Sequence, residues 1–219
     1  MNIQSFTSRW NAFMRKTFVM PRMRKRLENK NFSLITNNCT GEFIYHDLGL
    51  RFNSPTINLF FYKDHFFTFL EHLEEYLDSE LKICNNPQHT PEIEYPVFNL
   101  GDGERLPLIE LHFLHYHDVA EAKAIWEKRS ARVNLKNLFV VFAFCDDTDE
   151  AWLARFDAIP IKNKLALVNR PFPQYKSAFC IPGYEKTGIG GSGDYVGLLG
   201  ARKYDAFDFV HWFNTTKIK

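Results

Sequence analysis

Short apolar runs alternate along this chain with segments whose apolar residues recur every three to four positions. The runs predict strands at 32–36, 56–61, 97–100, 108–116, 137–145, 164–168 and 178–181. The periodic segments predict helices at 8–19, 42–48, 63–81, 118–133, 148–158 and 205–214. The run 137–145 is the most apolar and is expected at the centre of a sheet. This order predicts an α/β fold, a mostly parallel sheet with helices on both faces.

Boundary residues refine several of these elements. Pro21 is predicted to end the first helix. Asp118 and Glu121 form a start that resembles a capping box. Residues 84–107 are rich in Asn, Pro and Gly and predict a long connection, with 97–100 as an edge strand. Residues 183–200 hold seven of the 11 glycines and predict a mobile loop.

Charge divides the chain into two parts. The net charge of +1 gives no reason to expect a nucleic-acid partner. Residues 1–30 nevertheless contain eight Lys or Arg and one acid, Glu28, which leaves 19 basic and 25 acidic residues in 31–219. We therefore predict a basic amphipathic helical extension at 1–30 and a single α/β domain at 31–219. Residues 1–20 are a candidate peripheral contact with an anionic membrane; docking against the acidic body or a partner subunit is the alternative.

Cysteine usage and hydropathy indicate the cellular compartment. The four cysteines, at 39, 84, 145 and 180, form no CxxC pair, which argues against a disulfide framework or a zinc knuckle. The chain shows no secretion signal and no apolar stretch of about 18 residues that could span a membrane. These features predict a cytoplasmic protein with reduced thiols, with the inner membrane face as a place of peripheral contact.

A polar turn after the first predicted strand is the leading candidate site. Asn37, Asn38 and Cys39 lie where a strand ends and a helix begins, and ligands bind at this position in open α/β sheets. The two amides are candidate substrate-binding groups, and Cys39 is a candidate nucleophile. The structural alternative is an Asx-turn with a small Cys that fills space.

Histidines and a basic helix supply further candidates. If the strand extends over 108–117, His115 and His117 share one of its faces, and His115 is a candidate base. A metal at this pair is not expected. Trp126, Arg129 and Arg132 are spaced three apart on the next helix, where they are candidates for gripping a phosphate or an acidic sugar and stacking on a sugar ring. Alternatively, Trp126 belongs to the buried stripe of this helix, and Arg129 and Arg132 complement the helix dipole.

Two acidic motifs carry weaker signals. Asp147-Thr148-Asp149 matches the DxD pattern by which many glycosyltransferases hold a metal and a nucleotide sugar, although the same acids favour a helix start. Asp208 and His211 resemble the acid–histidine pair of the SGNH hydrolases, but NNC stands where that family has its serine block.

Three longer segments resemble a known family. These are ITNNCTGEFIYHDLGLRFNSPTINLFF, ELHFLHYHDVAEAKAIWEKRSARVNLKNLFVVF and FDFVHWFN, which together extend over nearly the whole chain after residue 30. They resemble a bacterial family of unknown function commonly labelled exopolysaccharide (capsule) biosynthesis protein. The resemblance implies a three-layer α/β/α sandwich and a gene context of surface polysaccharide. It includes the WxxRxxR pattern but implies no catalytic residues.

The sequence therefore supports two classes of hypothesis. The first is a transferase that acts on a polysaccharide precursor with an activated acyl or sugar donor, acyl transfer being favoured over glycosyl transfer. Its catalytic candidates are Cys39 and His115. The second is a non-catalytic binding or scaffold protein of the same pathway. The sequence identifies no cofactor.

Overall fold

The computed structural model describes residues 3–88 and 94–215; part of the predicted connection at 84–107 and the first two residues of the extension lie outside these ranges. The helices are α1 Ile3–Met14, α2 Met20–Arg26, α3 Thr40–Leu48, α4 Lys63–Glu71, α5 Leu73–Leu77, α6 Val119–Ser130, α7 Glu150–Ala158 and α8 Phe209–Asn214. The strands are β1 Ser33–Thr36, β2 Lys82–Ile83, β3 Val97–Leu100, β4 Ile109–His112, β5 Leu138–Ala143, β6 Lys164–Val168, β7 Ala178–Cys180, β8 Tyr195–Val196 and β9 Ala201–Arg202. No helix within the described ranges combines the length and apolarity that a membrane crossing requires.

The main sheet confirms the predicted α/β sandwich. Its strands follow the order β1-β5-β6-β7 and are all parallel. The apolar strand β5 lies inside the sheet, with Ile35 opposite Val140 in the register of β1. Residues alternate between two cores: Val140 packs with α4, α5, α6 and α7, whereas Val141 packs with α3 and α8. Helices on both faces of a parallel sheet make the three layers.

A second sheet was not anticipated. Strands β2, β3 and β4 form an antiparallel sheet with β3 in the middle, so the predicted edge strand at 97–100 is an inner strand there. The predicted strand at 108–116 is shorter, because regular pairing ends at His112. The predicted strand at 56–61 is mostly a turn: Asn58 adopts φ 67°, and only Phe60 makes an isolated bridge.

Two predicted helix boundaries require correction. The segment 63–81 is two helices, because His72 leaves helical geometry at φ −125° and ψ 35° while the apolar spacing continues across the break. Pro21 does not end the first helix. A π-helical turn, Arg15–Val19, precedes it, and Met20 N–H donates to the carbonyl of Arg15. Pro21 then occupies the first turn of α2, where a missing N–H is tolerated.

The N-terminal helical segment packs against the α/β domain through a buried arginine, as the docking alternative expected. Arg15 is 1% exposed. Its guanidinium donates to Asp47 Oδ2 at 2.6 Å, to Asp205 Oδ2 at 2.6 Å and to the hydroxyl of Tyr204 at 2.8 Å. It also donates to the carbonyl of Gly200 at 2.8 Å. We call this group of five residues the Arg15 network.

The glycine-rich segment 183–200 is tied to this helix rather than forming a free loop. Gly200 adopts φ 74°, and a Cβ at that position would lie 2.5 Å from the backbone nitrogen of Arg15. Asn11 Nδ2 donates to the carbonyl of Gly197 at 3.0 Å, and Trp10 Nε1 donates to that of Leu198 at 3.0 Å. Glycine is required here because two backbones approach closely.

Candidate functional site

The candidate site begins where β1 turns into α3. Thr36 Oγ1 donates to the carbonyl of Asn38 at 2.8 Å, and Asn38 Oδ1 accepts from the backbone N–H of Thr40 at 3.0 Å. This Asx-turn places Cys39 at the N-cap of α3. The N–H groups of the first helical turn lack intrahelical acceptors, so a negative charge formed beside Cys39 would be stabilised there.

Asn37 is used inside the fold. Its Oδ1 accepts from Ala143 N–H at 2.9 Å, and its Nδ2 donates to the carbonyl of Ala143 at 3.3 Å. The side chain is 5% exposed and extends the pairing between the ends of β1 and β5. The structure thus gives Asn37 a bridging role, and its predicted contact with substrate stays a prediction.

Cys39 and His115, the two catalytic candidates, lie side by side. Cys39 Sγ is 3.5 Å from His115 Nε2. His115 lies beyond the end of β4, in a turn closed by Tyr116 N–H to the carbonyl of Phe113 at 3.0 Å. The strand alternation used to orient His115 and His117 is therefore wrong, because neither residue is in a strand. The turn, rather than the pleat, directs the exposed His115 ring towards the half-buried thiol.

The electrostatics of the pair favour a neutral thiol at rest. Burial raises the pKa of Cys39, and the nearby carboxylate of Glu42 raises it further. A thiol in such surroundings needs a base to become nucleophilic. His115 Nε2 is within reach to accept that proton as a general base.

Glu42 is a site residue that the sequence analysis missed. One ligand atom from each of Cys39, Glu42 and His115 lies within 4.8 Å of the others, which is close enough for all three to hold one metal ion. The spacing of three between Cys39 and Glu42 in a predicted helix start was the available signal. That His115 lies beside these two residues could not be read from spacing, because its turn is distant in the sequence.

The glycine-rich segment covers the carboxyl end of the main sheet. Gly190 N–H donates to the carbonyl of Cys145 at 2.7 Å, and the hydroxyls of Ser192 and Thr40 hydrogen-bond to each other. Cys145 Sγ in turn accepts from Asn38 Nδ2 at 3.6 Å. The cover joins the turn after β1 to the turn after β5, beside Cys39.

The candidates on α6 separate in the structure. Trp126 is 1% exposed and lies in the core, with its ring centroid 6.2 Å from that of Phe69. Its predicted stacking on a sugar is therefore corrected, because the indole face is covered by protein. Arg129 and Arg132 instead line a small surface cavity with Arg51 and Lys128, two residues that the sequence analysis did not select.

The weaker motifs have structural partners. Asp149 caps α7 by accepting from Ala151 N–H at 2.9 Å, and Asp147 pairs with Arg170 at 3.0 Å. Asp149 thus has the helix-start role that was the alternative to metal binding by the DxD pattern. Asp208 caps α8 by accepting from His211 N–H at 3.0 Å and pairs with Arg26.

Comparisons with known proteins give a family and a relative. A family described as a domain of unknown function, DUF1919, matches residues 10–214. An uncharacterized protein of Haemophilus influenzae is 36% identical over 198 residues, which cover 90% of this chain and 91% of the relative. The matched family span includes Cys39, Glu42 and His115. The family match thus begins within the N-terminal helical segment and continues to residue 214.

Proposed function

This chain belongs to the DUF1919 family, and we propose that it is a transferase of cell-surface polysaccharide biosynthesis that moves an acyl group through Cys39. The observation that supports the chemistry is the 3.5 Å approach of Cys39 Sγ to His115 Nε2 beside the first turn of α3. The polysaccharide context rests on the resemblance of the three sequence segments to proteins labelled in that way. A cytoplasmic location at the inner membrane face belongs to the same proposal.

The proposed reaction has two balanced steps. In the first, the Cys39 thiol gives its proton to His115 Nε2, and the thiolate attacks the carbonyl carbon of an acyl thioester donor. The donor thiolate leaves with the proton from His115, and the acyl group is held as a thioester on Cys39. In the second, a sugar hydroxyl gives its proton to His115 and attacks that carbonyl. The sugar ester leaves, and Cys39 regains the proton.

Burial of Cys39 agrees with this order of events. Because its pKa is raised, the thiol is protonated until His115 accepts the proton, so it has little reactivity towards unrelated electrophiles. Cys39 is the N-cap of α3, so the N–H groups of Gly41 and Glu42 in the first turn are candidates to stabilise the oxyanion of an acyl intermediate. The carboxyl end of a parallel sheet thus supplies both nucleophile and electrostatic stabilisation.

Glycosyl transfer and a non-catalytic role have less support. A nucleotide-sugar enzyme of the DxD type would use Asp147 and Asp149 to hold a metal, but these side chains pair with Arg170 and cap α7. A scaffold protein would not need a thiol and an imidazole aligned at a strand end. The acyl proposal accounts for that alignment.

A metal-dependent hydrolase is the second candidate, supported by the grouping of Cys39, Glu42 and His115. Three ligands and an open fourth position are typical of catalytic zinc. The two candidates make opposite demands on Cys39, because a thiolate bound to zinc is not free to accept an acyl group. Metal analysis of the purified protein separates them.

The decisive experiment is to capture the acyl-enzyme. The protein is incubated with radiolabelled acetyl-CoA, and the label is located by peptide mass spectrometry. We expect a hydroxylamine-sensitive adduct on Cys39 that Cys39→Ala abolishes and His115→Asn slows. Cys180→Ala is the matched control, because Cys180 is also a half-buried free thiol but lies on β7.

Two results would reject the acyl proposal. One is the absence of a Cys39 adduct with acetyl-, succinyl- and longer acyl-CoA donors. The other is stoichiometric zinc that is lost in Cys39→Ala, Glu42→Gln and His115→Asn, which would favour the hydrolase instead.

A further inference from the structure

Four basic side chains surround one surface cavity between α6 and the segment after α3. The cavity has a volume of about 260 Å³ and is lined by Arg51, Phe52, Ile125, Lys128, Arg129 and Arg132. We call it the basic pocket. Since none of the described residues that line it is acidic, it concentrates positive charge in a small volume.

The cations of the basic pocket have no carboxylate partners in residues 3–88 and 94–215. Among the described residues, none of the four makes an ion pair within 4.0 Å. Arg129 Nη1 donates only to neutral acceptors, the carbonyl of Ile57 at 2.9 Å and the hydroxyl of Tyr116 at 3.1 Å. Within the same described ranges, Arg132 Nε is buried and has no hydrogen-bond acceptor. Arg132 Nε is thus a donor that no acceptor of the described residues uses.

Mutual repulsion is visible at Arg132. Burial lowers the pKa of its guanidinium, and the neighbouring cations Arg51 and Arg129 lower it further. Other basic side chains of this protein are arranged differently: Arg155 pairs with Glu71, and Lys123 pairs with Glu80. An arrangement that holds like charges together calls for an anion to compensate them.

We propose that the basic pocket binds the phosphate or diphosphate group of a phosphorylated ligand. Guanidinium groups donate paired N–H groups to phosphate oxygens, and an ammonium adds a point charge. The pocket is smaller than the sites of about 300–1,000 Å³ that enclose whole drug-sized ligands, so it receives the anionic group and leaves the rest of the ligand outside.

Two neighbouring residues of one turn contact the basic pocket and the thiol site. Tyr116 accepts from Arg129 through its hydroxyl, and its chain neighbour His115 contacts Cys39. Phosphate binding itself goes beyond the proposed acyl transfer and does not depend on Cys39.

The test uses inorganic pyrophosphate as the probe and isothermal titration calorimetry as the measurement. We expect one site on the wild-type protein, weakened at least about tenfold in Arg51→Gln/Lys128→Gln, because two charge-assisted contacts are lost. Both residues are exposed, so the double variant is expected to fold. Lys136→Gln/Lys162→Gln removes the same charge from exposed positions outside the pocket and should change affinity by less than about twofold.

Coenzyme A and uridine diphosphate then distinguish the sources of the phosphate. Binding of coenzyme A that is lost in Arg51→Gln/Lys128→Gln would identify an acyl-donor site, and the same behaviour of uridine diphosphate would identify a nucleotide-sugar site. Absent pyrophosphate binding, or equal binding by the pocket and control variants, would overturn the proposal. Cys39→Ala should bind pyrophosphate normally, so failure of the thiol chemistry and failure of the pocket are separate results.

Discussion

The Arg15 network and the basic pocket place arginines in opposite electrostatic situations. Arg15 is almost fully buried and donates to two carboxylates, a hydroxyl and a carbonyl. Arg132 is half-buried, has cations as neighbours and leaves its Nε without an acceptor among the described residues. A paired arginine joins parts of a fold, whereas a group of unpaired arginines is suited to bind something that the chain does not contain.

The energetics of the two regions differ for the same reason. Taking a guanidinium out of water is unfavourable unless hydrogen bonds and opposite charges replace the lost hydration. In the Arg15 network both conditions are met, so removing one member leaves its partners buried and uncompensated. In the basic pocket removal of one cation relieves repulsion.

The largest expected effect is the loss of stability in Arg15→Met. This change leaves Asp47 buried without its cation and should lower the free energy of unfolding by about 3–5 kcal/mol. Urea denaturation followed by circular dichroism measures it. Arg9→Met, on the exposed side of the same helix, is the control and should change stability by less than about 0.5 kcal/mol. If Arg15→Met and Arg9→Met lowered the free energy of unfolding equally, the Arg15 network would contribute no special stability.

Alkaline pH provides a second test of the same network. Burial and the adjacent Asp47 raise the pKa of Tyr204 well above 10.0. The folded state therefore keeps a proton that the unfolded chain releases near pH 10, and stability falls as pH rises above that value, by up to about 1.4 kcal/mol per pH unit for one group. Tyr204→Phe should give a flatter stability curve between about pH 10 and 11.

Two other buried tyrosines, Tyr45 and Tyr76, do not confuse the alkaline test. Burial raises the pKa of Tyr76 to about 12 and also raises that of Tyr45. Both tyrosines remain in Tyr204→Phe, so the difference between the wild-type and variant curves reports Tyr204. Identical curves would show that Tyr204 loses its proton equally in both states.

The outer face of α1 allows a test with a smaller expected effect, which concerns the proposed membrane contact. While Arg15 is directed inward, Phe6 and Phe13 are each 56% exposed and Leu199 is 72% exposed. With the exposed cations Arg9 and Lys16, this face suits an anionic bilayer, in keeping with the proposed membrane contact at 1–20.

Flotation with vesicles of phosphatidylglycerol and phosphatidylcholine measures that contact. Phe6→Ser/Phe13→Ser should lower partitioning about tenfold, which corresponds to a loss of about 1.4 kcal/mol of apolar contact. Val119→Ser/Leu135→Ser, two exposed apolar positions elsewhere, is the matched control. Unchanged flotation of the phenylalanine variant would reject the membrane role.

The smallest effect is expected for Arg132→Met. Because the change removes a repelled cation and keeps the length of the side chain, stability should stay within about 1 kcal/mol of wild type. Pyrophosphate, which should stabilise the wild-type protein in thermal shift, should have a weaker effect on the variant. A loss of stability similar to that of Arg15→Met would mean that Arg132 is structural.

The sequence predicted the main sheet better than the second one. The central strand β5, β6 at 164–168 and the capped start of α6 follow from apolar runs and a local Asp-to-N–H bond. The short antiparallel strands could not be placed, because the pairing of β2 with β3 depends on contacts between distant segments. Pro21 was misjudged because the π-helical turn before it has no distinct sequence pattern.

The candidate site was predicted only in part, because it too depends on contacts between distant segments. Strand-to-turn-to-helix order directed attention to Cys39, but the direction of His115 was argued from a strand that ends at His112. Trp126 fits both a buried stripe and a binding face, and only packing decides between them. Arg51 joins Arg129 and Arg132 through the fold alone, since these positions lie far apart in the sequence.

The Arg15 network also has a consequence for biosynthesis. Arg15 and its partner Asp205 are separated by 190 positions, whereas Asp47 follows Arg15 by 32 positions. The contact with Asp47 can therefore form early in synthesis, while the contact with Asp205 must wait until translation has passed residue 205. Completion of the network is thus a late step of folding.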